Sequence, residues 1–388
     1  MNKMRKTLGQ FFTPISIVDE MIRLIQNNGN ILEPSCGDGS FLTYLPQHAI
    51  GIELDVQIIK NQNVQNIDFF SYDIKNKFDT IIGNPPYVAY KEILEDTKKL
   101  LTPYKKMFDN RSNLYLFFIY KCVLHLKDNG EIIFITPRDF LKLTASIKLN
   151  DFLYANGTIT DFIDLGDKKI FKDVQPNCAI WRFEKDNYTR KTNLVKNFSC
   201  NNGQISFTNN HYCVRFKDLF FVKVGAVSGN DKIFTNPSIG NEEFVSSTTC
   251  KTGKTKKMIF NCYLPYLETY KDILIRRKIK KFTQSNWWEW GRDYFKSDLP
   301  RIYVNTKTRN KKPFFTHPIK AYDGSILAIF PKFQTDDLTL SEICDLLNHT
   351  HWEELGFICD GRYLFSQKSL ENCFIGEEFY KFFYLDKI

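Results

Sequence analysis

The sequence lacks several features that would place it in a simple class of proteins. No apolar run reaches the roughly 18 residues that a membrane-spanning helix needs, and the first residues have neither the apolar stretch nor the cleavage site of a signal peptide. The ten cysteines stand singly, with no Cys-x-x-Cys pair and no cluster at metal spacing. We therefore expect a cytoplasmic protein without a membrane segment, a disulfide framework or a metal site.

What is present is an ordinary globular composition with an uneven charge. The 388 residues are 43% hydrophobic and 25% charged, and a chain of this length typically forms two domains. Residues 251–312 contain 17 Lys and Arg against 5 Asp and Glu, an excess of 12, so the remainder carries 9 − 12 = −3. A basic segment on a near-neutral body indicates a polyanionic partner, whereas a merely solvated surface would mix both signs.

The first half of the chain alternates short apolar runs with helical patterns, which predicts a parallel sheet covered by helices. The predicted strands are 30–35, 49–55, 65–70, 78–84, 131–137, 159–166 and 177–185, and the predicted helices are 15–27, 92–106, 112–127 and 138–154. Four of the runs end at Pro34, Glu53, Asp68 and Asn84. Because ligands bind outside the carboxyl ends of such strands, we expect these four ends to form one site. After about residue 186 the sequence becomes irregular, basic and aromatic, so a domain boundary is expected within 186–222.

The stretch ILEPSCGDGSFL runs from a strand into a glycine-containing turn, with a predicted helix start at Ser40. Gly37 and Gly39 let the backbone pass close beneath a ligand, although turns alone would also explain them. The loop lacks the full dinucleotide fingerprint and a Walker lysine, which disfavours phosphate binding.

Two acids at later strand ends suit a nucleoside. Glu53 is placed to accept hydrogen bonds from both hydroxyls of a ribose. For the nearby Asp55 the alternative role is that of a helix cap. Asp68 is placed to accept from an adenine amino group, with Phe69 flanking the ring and Asp73 as the competing acid. The predicted ligand is a nucleoside without phosphates.

The stretch FDTIIGNPPYVAY ends a strand with two prolines beside an asparagine and a tyrosine. The prolines fix the backbone and hold the carbonyls of Asn84 and Pro85 outward. Such acceptors can hold the two hydrogens of one planar amino group while Tyr87 stacks on the ring that bears it. These hydrogen bonds strengthen as the nitrogen gains positive charge, which favours a transition state for its alkylation. A strand that simply ends in a Pro-Pro turn would leave Asn84 and Tyr87 unexplained.

The motifs NPPY, EPSCGDGSF and GIELD, preceded by GQFFTPISIVDEM, resemble the gamma-class DNA adenine methyltransferases of bacterial restriction–modification systems. The resemblance is specific over about residues 8–185. It implies a Rossmann-like class I methyltransferase fold, an α/β domain with a mixed seven-stranded sheet and helices on both faces, followed by an α+β target-recognition domain. The implied domains are 1–200, catalytic, and 201–388, target-recognising. The implied cofactor is S-adenosyl-L-methionine.

The resemblance also implies roles for individual residues. Around the cofactor it places Phe11, Thr13 and Pro14 at the methionine end, Glu33, Cys36, Gly37 and Gly39 in the loop, Glu53 at the ribose, Asp68 and Phe69 at the adenine, and Pro86 at the border. Around the target adenine it places Asn84, Pro85 and Tyr87. Phe171 matches a second stacking aromatic of the family, although an ordinary core phenylalanine fits the pattern equally well.

The expected partner is duplex DNA whose target base is flipped into the site. Phosphate contacts are predicted from Arg276, Arg277, Lys278, Lys280 and Lys281, and guanine readout from Arg292, Arg301 and Arg309. The tryptophans of WWEWGR are expected in the core of the second domain. We expect a monomer that modifies DNA in a type II restriction–modification system, with any cognate endonuclease on a separate chain. The alternatives are methylation of RNA or of a protein glutamine, and a DNA-specificity module without catalysis.

Overall fold

The computed structural model describes residue 9 and residues 11–166, 177–209, 211–359 and 361–386. The chain divides into two compact units, residues 1–210 (unit 1) and 211–388 (unit 2). None of the helices in the described ranges is long and apolar enough to cross a membrane.

One mixed sheet of seven strands organises unit 1. Its strands are β1 (Ile31–Glu33), β2 (Ile50–Glu53), β3 (Val64–Asn66), β4 (Phe78–Gly83), β5 (Leu126–Pro137), β6 (Gly157–Asp164) and β7 (Cys178–Lys185). They lie in the order β3-β2-β1-β4-β5-β7-β6, and β7 runs antiparallel to both of its neighbours while the other pairs are parallel. The carboxyl ends of β1, β2, β4 and β5 therefore share one edge, where ligands bind in folds of this kind.

Helices cover both faces of this sheet. They are α1 (Ile15–Ile22), α2 (Glu95–Leu100), α3 (Leu114–His125) and α4 (Ile147–Asn156). Alternate residues of a strand point to opposite faces, so Ile82 packs in the cluster that contains Met21 of α1, while Ile81 packs with Leu116 of α3. The predicted class I α/β fold with a mixed seven-stranded sheet is confirmed.

Several predicted element boundaries were wrong for local reasons. Residues 37–44 form turns, so the helix predicted to start at Ser40 is not there. The predicted helix 92–106 is cut to α2 because the chain turns into a 3-10 turn at Thr102–Tyr104 with a proline in its first positions. The helix predicted over 138–154 begins only at Ile147, after two 3-10 turns.

Unit 1 ends in a hairpin, and unit 2 is built from many short elements. The hairpin strands are β8 (Asn197–Asn201) and β9 (Gln204–Thr208). The strands of unit 2 are β10 (Tyr212–Arg215), β11 (Phe220–Val224), β12 (Glu242–Phe244), β13 (Lys256–Met258), β14 (Ile302–Asn305), β15 (Lys307–Thr308), β16 (Phe314–Phe315), β17 (Ile326–Pro331), β18 (Ile358–Cys359), β19 (Arg362–Leu364) and β20 (Phe374–Gly376). Its helices are α5 (Phe216–Leu219), α6 (Asp231–Phe234), α7 (Thr249–Thr252), α8 (Pro265–Glu268), α9 (Lys271–Ile275), α10 (Asp337–His349) and α11 (Gln367–Glu371).

The centre of unit 2 is a four-stranded antiparallel sheet in the order β11-β17-β14-β16. A separate apolar cluster joins Trp287 and Trp290, each 2% exposed, to Phe244 and Leu274. The expectation that the tryptophans of WWEWGR are core residues is confirmed for Trp287 and Trp290, whereas Trp288 is half-buried. Unit 2 is thus an α+β unit whose aromatic residues are largely internal.

Candidate active site

A cavity of about 810 Å³, part of it open to solvent, lies at the carboxyl edge of the unit 1 sheet. The predicted residues that line it are Phe11, Gly37, Glu53, Asp68, Phe69, Asn84 and Pro86. Lining residues that the sequence analysis missed include Phe12, Ser35, Leu54, Phe70, Thr97 and Phe118. Predicted residues that lie outside the lining are Thr13, Pro14, Glu33, Cys36, Gly39, Pro85 and Tyr87. The four strand ends therefore meet at one cavity, as expected.

The glycine loop after β1 adopts a backbone conformation that other residues rarely take. Gly37 and Gly39 have φ angles of +56° and +82°, in the left-handed region that favours glycine. A Cβ atom on Gly39 would lie 2.4 Å from the Asn61 side chain, whereas one on Gly37 would meet only the Phe12 ring, at 3.9 Å. The loop is therefore open above Gly37, with Phe12 across the opening.

Glu53 holds the glycine loop from below. Its carboxylate accepts hydrogen bonds from the backbone N–H groups of Gly37 and Asp55, both at 2.8 Å. The side chain is 7% exposed, and burial raises the pKa of Glu53 above its usual value. Each carboxylate oxygen has a further lone pair, which leaves acceptor capacity for ribose hydroxyls. Asp55 caps the following 3-10 turn through the Gln57 N–H, the alternative that the sequence had left open.

Asp68 is fixed by two donors at the far end of the cavity. Its Oδ1 accepts from the Phe70 N–H at 2.8 Å, and its Oδ2 accepts from the Thr97 hydroxyl at 2.5 Å. The first of these bonds caps a 3-10 turn at Phe69–Ser71, which is why the strand predicted to reach residue 70 ends at Asn66. The competing Asp73 is exposed, accepts from the Lys75 N–H and does not line the cavity. The structure thus favours Asp68.

A buried lysine braces the same turn from behind. Lys121 of α3 is 2% exposed and donates to the backbone carbonyls of Phe69 and Tyr72. Its ammonium group also lies 4.8 Å from the centre of the Phe69 ring, within cation–π range. Burial lowers the pKa of Lys121 to about 8. The Phe69 ring stacks on Phe118 at 4.9 Å, so this wall of the cavity is rigid and aromatic.

Glu33, at the end of β1, is a buried acid with an unmet hydrogen-bonding group. It is 1% exposed, and its Oε2 has no partner among the described residues. Burial, followed by the charges of Asp38 and Glu53, raises the pKa of Glu33 well above its usual value. Burial of this kind is costly for an ionised carboxyl.

The Asn84 side chain has a fixed orientation. Its Nδ2 donates to the Phe11 carbonyl at 3.0 Å and to the Thr13 hydroxyl at 3.2 Å. A carbonyl can only accept, so the amide NH₂ must face Phe11 and the amide oxygen must face the other way. Oδ1 is buried and receives no hydrogen bond within the described part of the chain. Of the buried side chains with such an unpaired atom in that part of the chain, Asn84 alone lines the cavity.

The acceptors expected around Asn84 differ in the donors that they already have. The main-chain carbonyl of Asn84 accepts from the Ser35 hydroxyl at 3.2 Å, which leaves it one further lone pair. No described group donates to the Pro85 carbonyl. The acceptors without a described donor are therefore the Asn84 side-chain oxygen and the Pro85 carbonyl.

Tyr87 is held as a rigid, half-buried ring. Its hydroxyl donates to the Ile135 carbonyl at 3.0 Å, and burial raises the pKa of Tyr87 well above its usual value. The ring lies 5.5 Å from Phe11 and 5.8 Å from Tyr115, the latter edge-on. Tyr87 thus belongs to an aromatic group beside the cavity rather than to its lining. Phe171, the second predicted stacking residue, lies outside the described residues.

Three of the arginines predicted to contact DNA are engaged within unit 2. Arg277 donates to the backbone carbonyls of Ser228, Leu274, Trp287 and Glu289, and burial lowers the pKa of Arg277 to about 10. Arg301, 5% exposed, donates to three carbonyls and lies 4.8 Å from the Phe330 ring. The exposed Arg292 donates to the Gly225 carbonyl. Arg277 and Arg301 thus connect backbone segments of unit 2 through donors that were expected to contact DNA.

The other predicted cations of unit 2 are at the surface. Arg276, Lys278, Lys281 and Arg309 are exposed. Lys280 is exposed as well but pairs with Glu289 at 3.0 Å. A polyanion could therefore reach these five side chains without rearrangement of the core.

Comparison with known proteins supports a methylase assignment for unit 1. Residues 22–171 match the family model of the Eco57I restriction-modification methylase. The chain is 38% identical over 199 residues to the type II methyltransferase M.HincII of Haemophilus influenzae, an alignment that covers 49% of this chain and 39% of that protein. The chain spans about two fifths of the length of the first curated relatives that it matches. An alignment with the type II methyltransferase M.BanIII of Aneurinibacillus aneurinilyticus covers 91% of this chain and 86% of that protein at 22% identity.

A solved structure extends the likeness to the fold. The type IIL restriction-modification enzyme MmeI, solved in complex with DNA, superposes with a TM-score of 0.60 over 92% of this chain and 64% of that chain, at 10% identity. An identity this low shows a shared fold and nothing finer. The open glycine loop, the Glu53 carboxylate and the Asp68 wall fit an adenosyl group. Unit 1 therefore has the class I fold and resembles an Eco57I-type restriction–modification methylase over residues 22–171, and S-adenosyl-L-methionine is the cofactor that this likeness implies.

Proposed function

We propose that the protein transfers a methyl group from S-adenosyl-L-methionine to the exocyclic amino group of adenine in duplex DNA. In this proposal it is the modification component of a type II restriction–modification system. The observation that carries the proposal is the orientation of Asn84, whose amide oxygen is buried at the cavity wall with no described donor.

An unpaired acceptor selects the chemistry of the base. A buried acceptor without a donor costs roughly 1–3 kcal/mol, and an amino group on a base removes that cost. A keto oxygen at the same place would add a second acceptor and be repelled. The site therefore suits adenine or cytosine and excludes thymine. The resemblance to the adenine-specific class, in which Asn rather than Ser begins the NPPY motif, favours adenine.

The same acceptors also favour the reaction. The amino nitrogen of a nucleobase is a poor nucleophile because its lone pair is delocalised into the ring. Asn84 and the Pro85 carbonyl hold its two hydrogens, and these bonds strengthen as the nitrogen gains positive charge. The cofactor supplies an electrophilic methyl group when it is bound. Glu53 and Asp68 are proposed to orient it through its ribose and adenine.

The reacting base must leave the duplex to reach this site. Extrusion costs a few kcal/mol of lost stacking and pairing, and stacking on an aromatic side chain returns about 1–3 kcal/mol per base. Tyr87 suits this role because its hydroxyl is tied to the Ile135 carbonyl, so the ring loses little freedom when a base arrives. On unit 2, Arg276, Lys278, Lys281 and Arg309 are proposed as phosphate contacts that position the strand.

The test is transfer of a tritiated methyl group from S-adenosyl-L-methionine to duplex DNA, tRNA and total protein in parallel. We expect label in duplex DNA alone, and nuclease digestion of the product should yield N6-methyladenine. Asn84→Ala should abolish the transfer. Asn156→Ala should keep it, since that amide lies at the end of α4, outside the cavity.

Each competing function gives a different result in the same assay. Label in tRNA or protein alone would assign the chain to another class of amino-methyltransferases. Label in N4-methylcytosine would keep the reaction and correct the base. Tight DNA binding without cofactor binding in calorimetry would favour a specificity module without catalysis.

A further inference from the structure

Unit 1 carries three lysines that its cofactor cavity does not use. Lys105, Lys106 and Lys148 are exposed, and we refer to them as the lysine surface. Lys148 donates to the Lys106 backbone carbonyl at 2.6 Å, which joins the start of α4 to the segment before α3. None of the three lines the cavity. Their position therefore needs an explanation other than cofactor binding.

These lysines differ from other cations of the same region in their pairing. Lys98, Lys99 and Arg111 pair with Glu95, Asp96 and Asp109 at 2.5–2.8 Å. No described acid lies within 4.0 Å of the ammonium group of any lysine of the lysine surface. Asp109 forms its ion pair with Arg111, and the hydrogen bond from Arg111 is the main cause of the lowered pKa of Asp109, to which Lys148 contributes less. The lysine surface therefore has no ion-pair partner among the described residues.

The lysine surface is connected to the catalytic edge by packed contacts. The segment that contains Lys105 and Lys106 continues through Phe108, whose ring lies 4.3 Å from Phe117 of α3. At the start of α3, Leu114 donates its N–H to the carbonyl of Val88, the residue after Tyr87. On the other side, the 3-10 turn after β5 carries Asp139, which accepts from the Tyr115 hydroxyl at 3.3 Å. Tyr115 packs against Tyr87, so both segments next to the lysine surface contact α3, whose first residues contact Tyr87 and Val88.

We propose that the lysine surface binds the sugar–phosphate backbone of the DNA that flanks the flipped base. The identification of the polyanion as DNA depends on the proposed function. Lysine suits this task because a mobile point charge accommodates a backbone that changes shape when a base leaves the stack. Contacts of this kind carry no sequence information and serve to position the strand. The proposal adds a second set of phosphate contacts, on unit 1, to those predicted on unit 2.

The test compares two triple variants with the same loss of charge. One is Lys105→Gln/Lys106→Gln/Lys148→Gln, and the control is Lys60→Gln/Lys75→Gln/Lys77→Gln, three exposed lysines elsewhere in unit 1. Fluorescence anisotropy with a labelled duplex of mixed sequence gives the affinity as a function of salt. Each phosphate contact contributes about 0.9 to the magnitude of the negative slope of log K against log salt. We therefore expect the slope of the first variant to be smaller in magnitude than the wild-type slope by about 2–3. The control slope should stay within about 1 of the wild type.

Equal slopes in both variants and the wild type would overturn the proposal, as would a loss of binding to single-stranded RNA alone. Cofactor affinity, measured by calorimetry, should stay within twofold in both variants, which separates a surface effect from a damaged fold. The two proposals can also fail separately. If the salt dependence requires the lysines but no methyl group is transferred to DNA, the proposed function is wrong and the DNA-binding role of the lysine surface stands. If methyl transfer occurs and the slopes are unchanged, the proposed function stands and the role of the lysine surface is wrong.

Discussion

Asn84 in unit 1 and Arg277 in unit 2 form an instructive contrast. Both are polar residues that the sequence marks for a functional role, and both have donors that are bonded within their own unit. The Asn84 amide is fixed so that its acceptor is left over at a cavity wall. The Arg277 guanidinium is fixed so that its donors are taken up by four carbonyls of its own unit.

Asn84 thus has an acceptor available to a ligand, whereas Arg277 stabilises the fold. An acceptor that has no donor within the protein at a cavity wall is available to a ligand. A donor that is bonded to backbone carbonyls of its own unit contributes to the stability of that unit. Substitution should therefore affect activity in the first case and folding in the second. Four predictions test this division, from the largest expected effect to the smallest.

Replacement of Asn84 should remove activity without loss of stability. Asn84→Ala deletes an interaction that strengthens in the transition state, and losses of this kind lower kcat by about 10²–10³-fold. The free energy of unfolding should change by less than about 1 kcal/mol, since an unpaired buried oxygen is deleted along with two hydrogen bonds. Single-turnover methyl transfer and urea unfolding measure the two quantities. If the free energy of unfolding falls by as much as the activation free energy of methyl transfer rises, Asn84 holds the fold as Arg277 does.

Replacement of Arg277 should do the opposite. Arg277→Gln leaves several buried carbonyls without a donor, and we expect a loss of about 3 kcal/mol in the free energy of unfolding. The neighbouring Arg276 is exposed, so Arg276→Gln is a matched control with an expected change below about 0.5 kcal/mol. Urea denaturation of both variants provides the comparison. Equal effects would show that the internal bonds of Arg277 do not stabilise unit 2.

Glu33 should lower the stability of the fold as the pH rises. Its pKa is raised by burial, so with rising pH the unfolded chain loses this proton before the folded chain does, and the folded state loses stability over that range. Glu33→Gln should remove this loss and raise the midpoint of thermal unfolding at neutral pH. Because Glu33 does not line the cavity, the same change should leave S-adenosyl-L-methionine binding unchanged.

Scanning calorimetry at several pH values and isothermal titration with the cofactor measure both effects. The buried Glu131, which pairs with Arg182 at 2.6 Å, is the useful contrast. Glu131→Gln breaks a paired charge and should lower stability instead. A Glu33→Gln protein that is less stable at neutral pH would contradict the role of burial.

The smallest effect is expected at Thr97, which orients Asp68 through the hydrogen bond at 2.5 Å. Thr97→Val keeps the shape and removes the donor, which should weaken cofactor binding about 5–10-fold. Thr97→Ser should restore it. Calorimetry with S-adenosylhomocysteine and with its inosine counterpart, which lacks the adenine amino group, distinguishes orientation from packing. Equal losses for both ligands would mean that Thr97 acts through packing alone.

Much of the catalytic edge could be predicted because strand ends leave clear signals. Glycines with positive φ, a proline pair and an acid after an apolar run all have local causes, and Glu53, Asp68 and Asn84 were found in this way. Thr97 could not be found, because its contact with Asp68 joins residues 29 positions apart and no motif marks it. Phe12 was missed beside Phe11 because sequence does not tell which of two adjacent rings covers Gly37.

The arginines of unit 2 show the same limit more sharply. Arg276 and Arg277 are identical in sequence terms, yet one is exposed and the other is bonded to four carbonyls. Backbone carbonyls leave no signature in a sequence, so their partners cannot be predicted from composition. Charge density identified a basic segment correctly but could not separate its surface cations from its internal ones.

In the proposed function the unpaired oxygen of Asn84 binds the amino group of the methylated base, and the resemblance to the adenine-specific class identifies that base as adenine. Single-molecule sequencing of DNA from cells that express the wild-type chain or Asn84→Ala tests it most directly, because it reveals the methylated base and its sequence context together. We expect methylated adenines in one defined sequence context with the wild type, and none with Asn84→Ala. Methylated cytosines in the wild type, or adenine methylation that persists in Asn84→Ala, would contradict it.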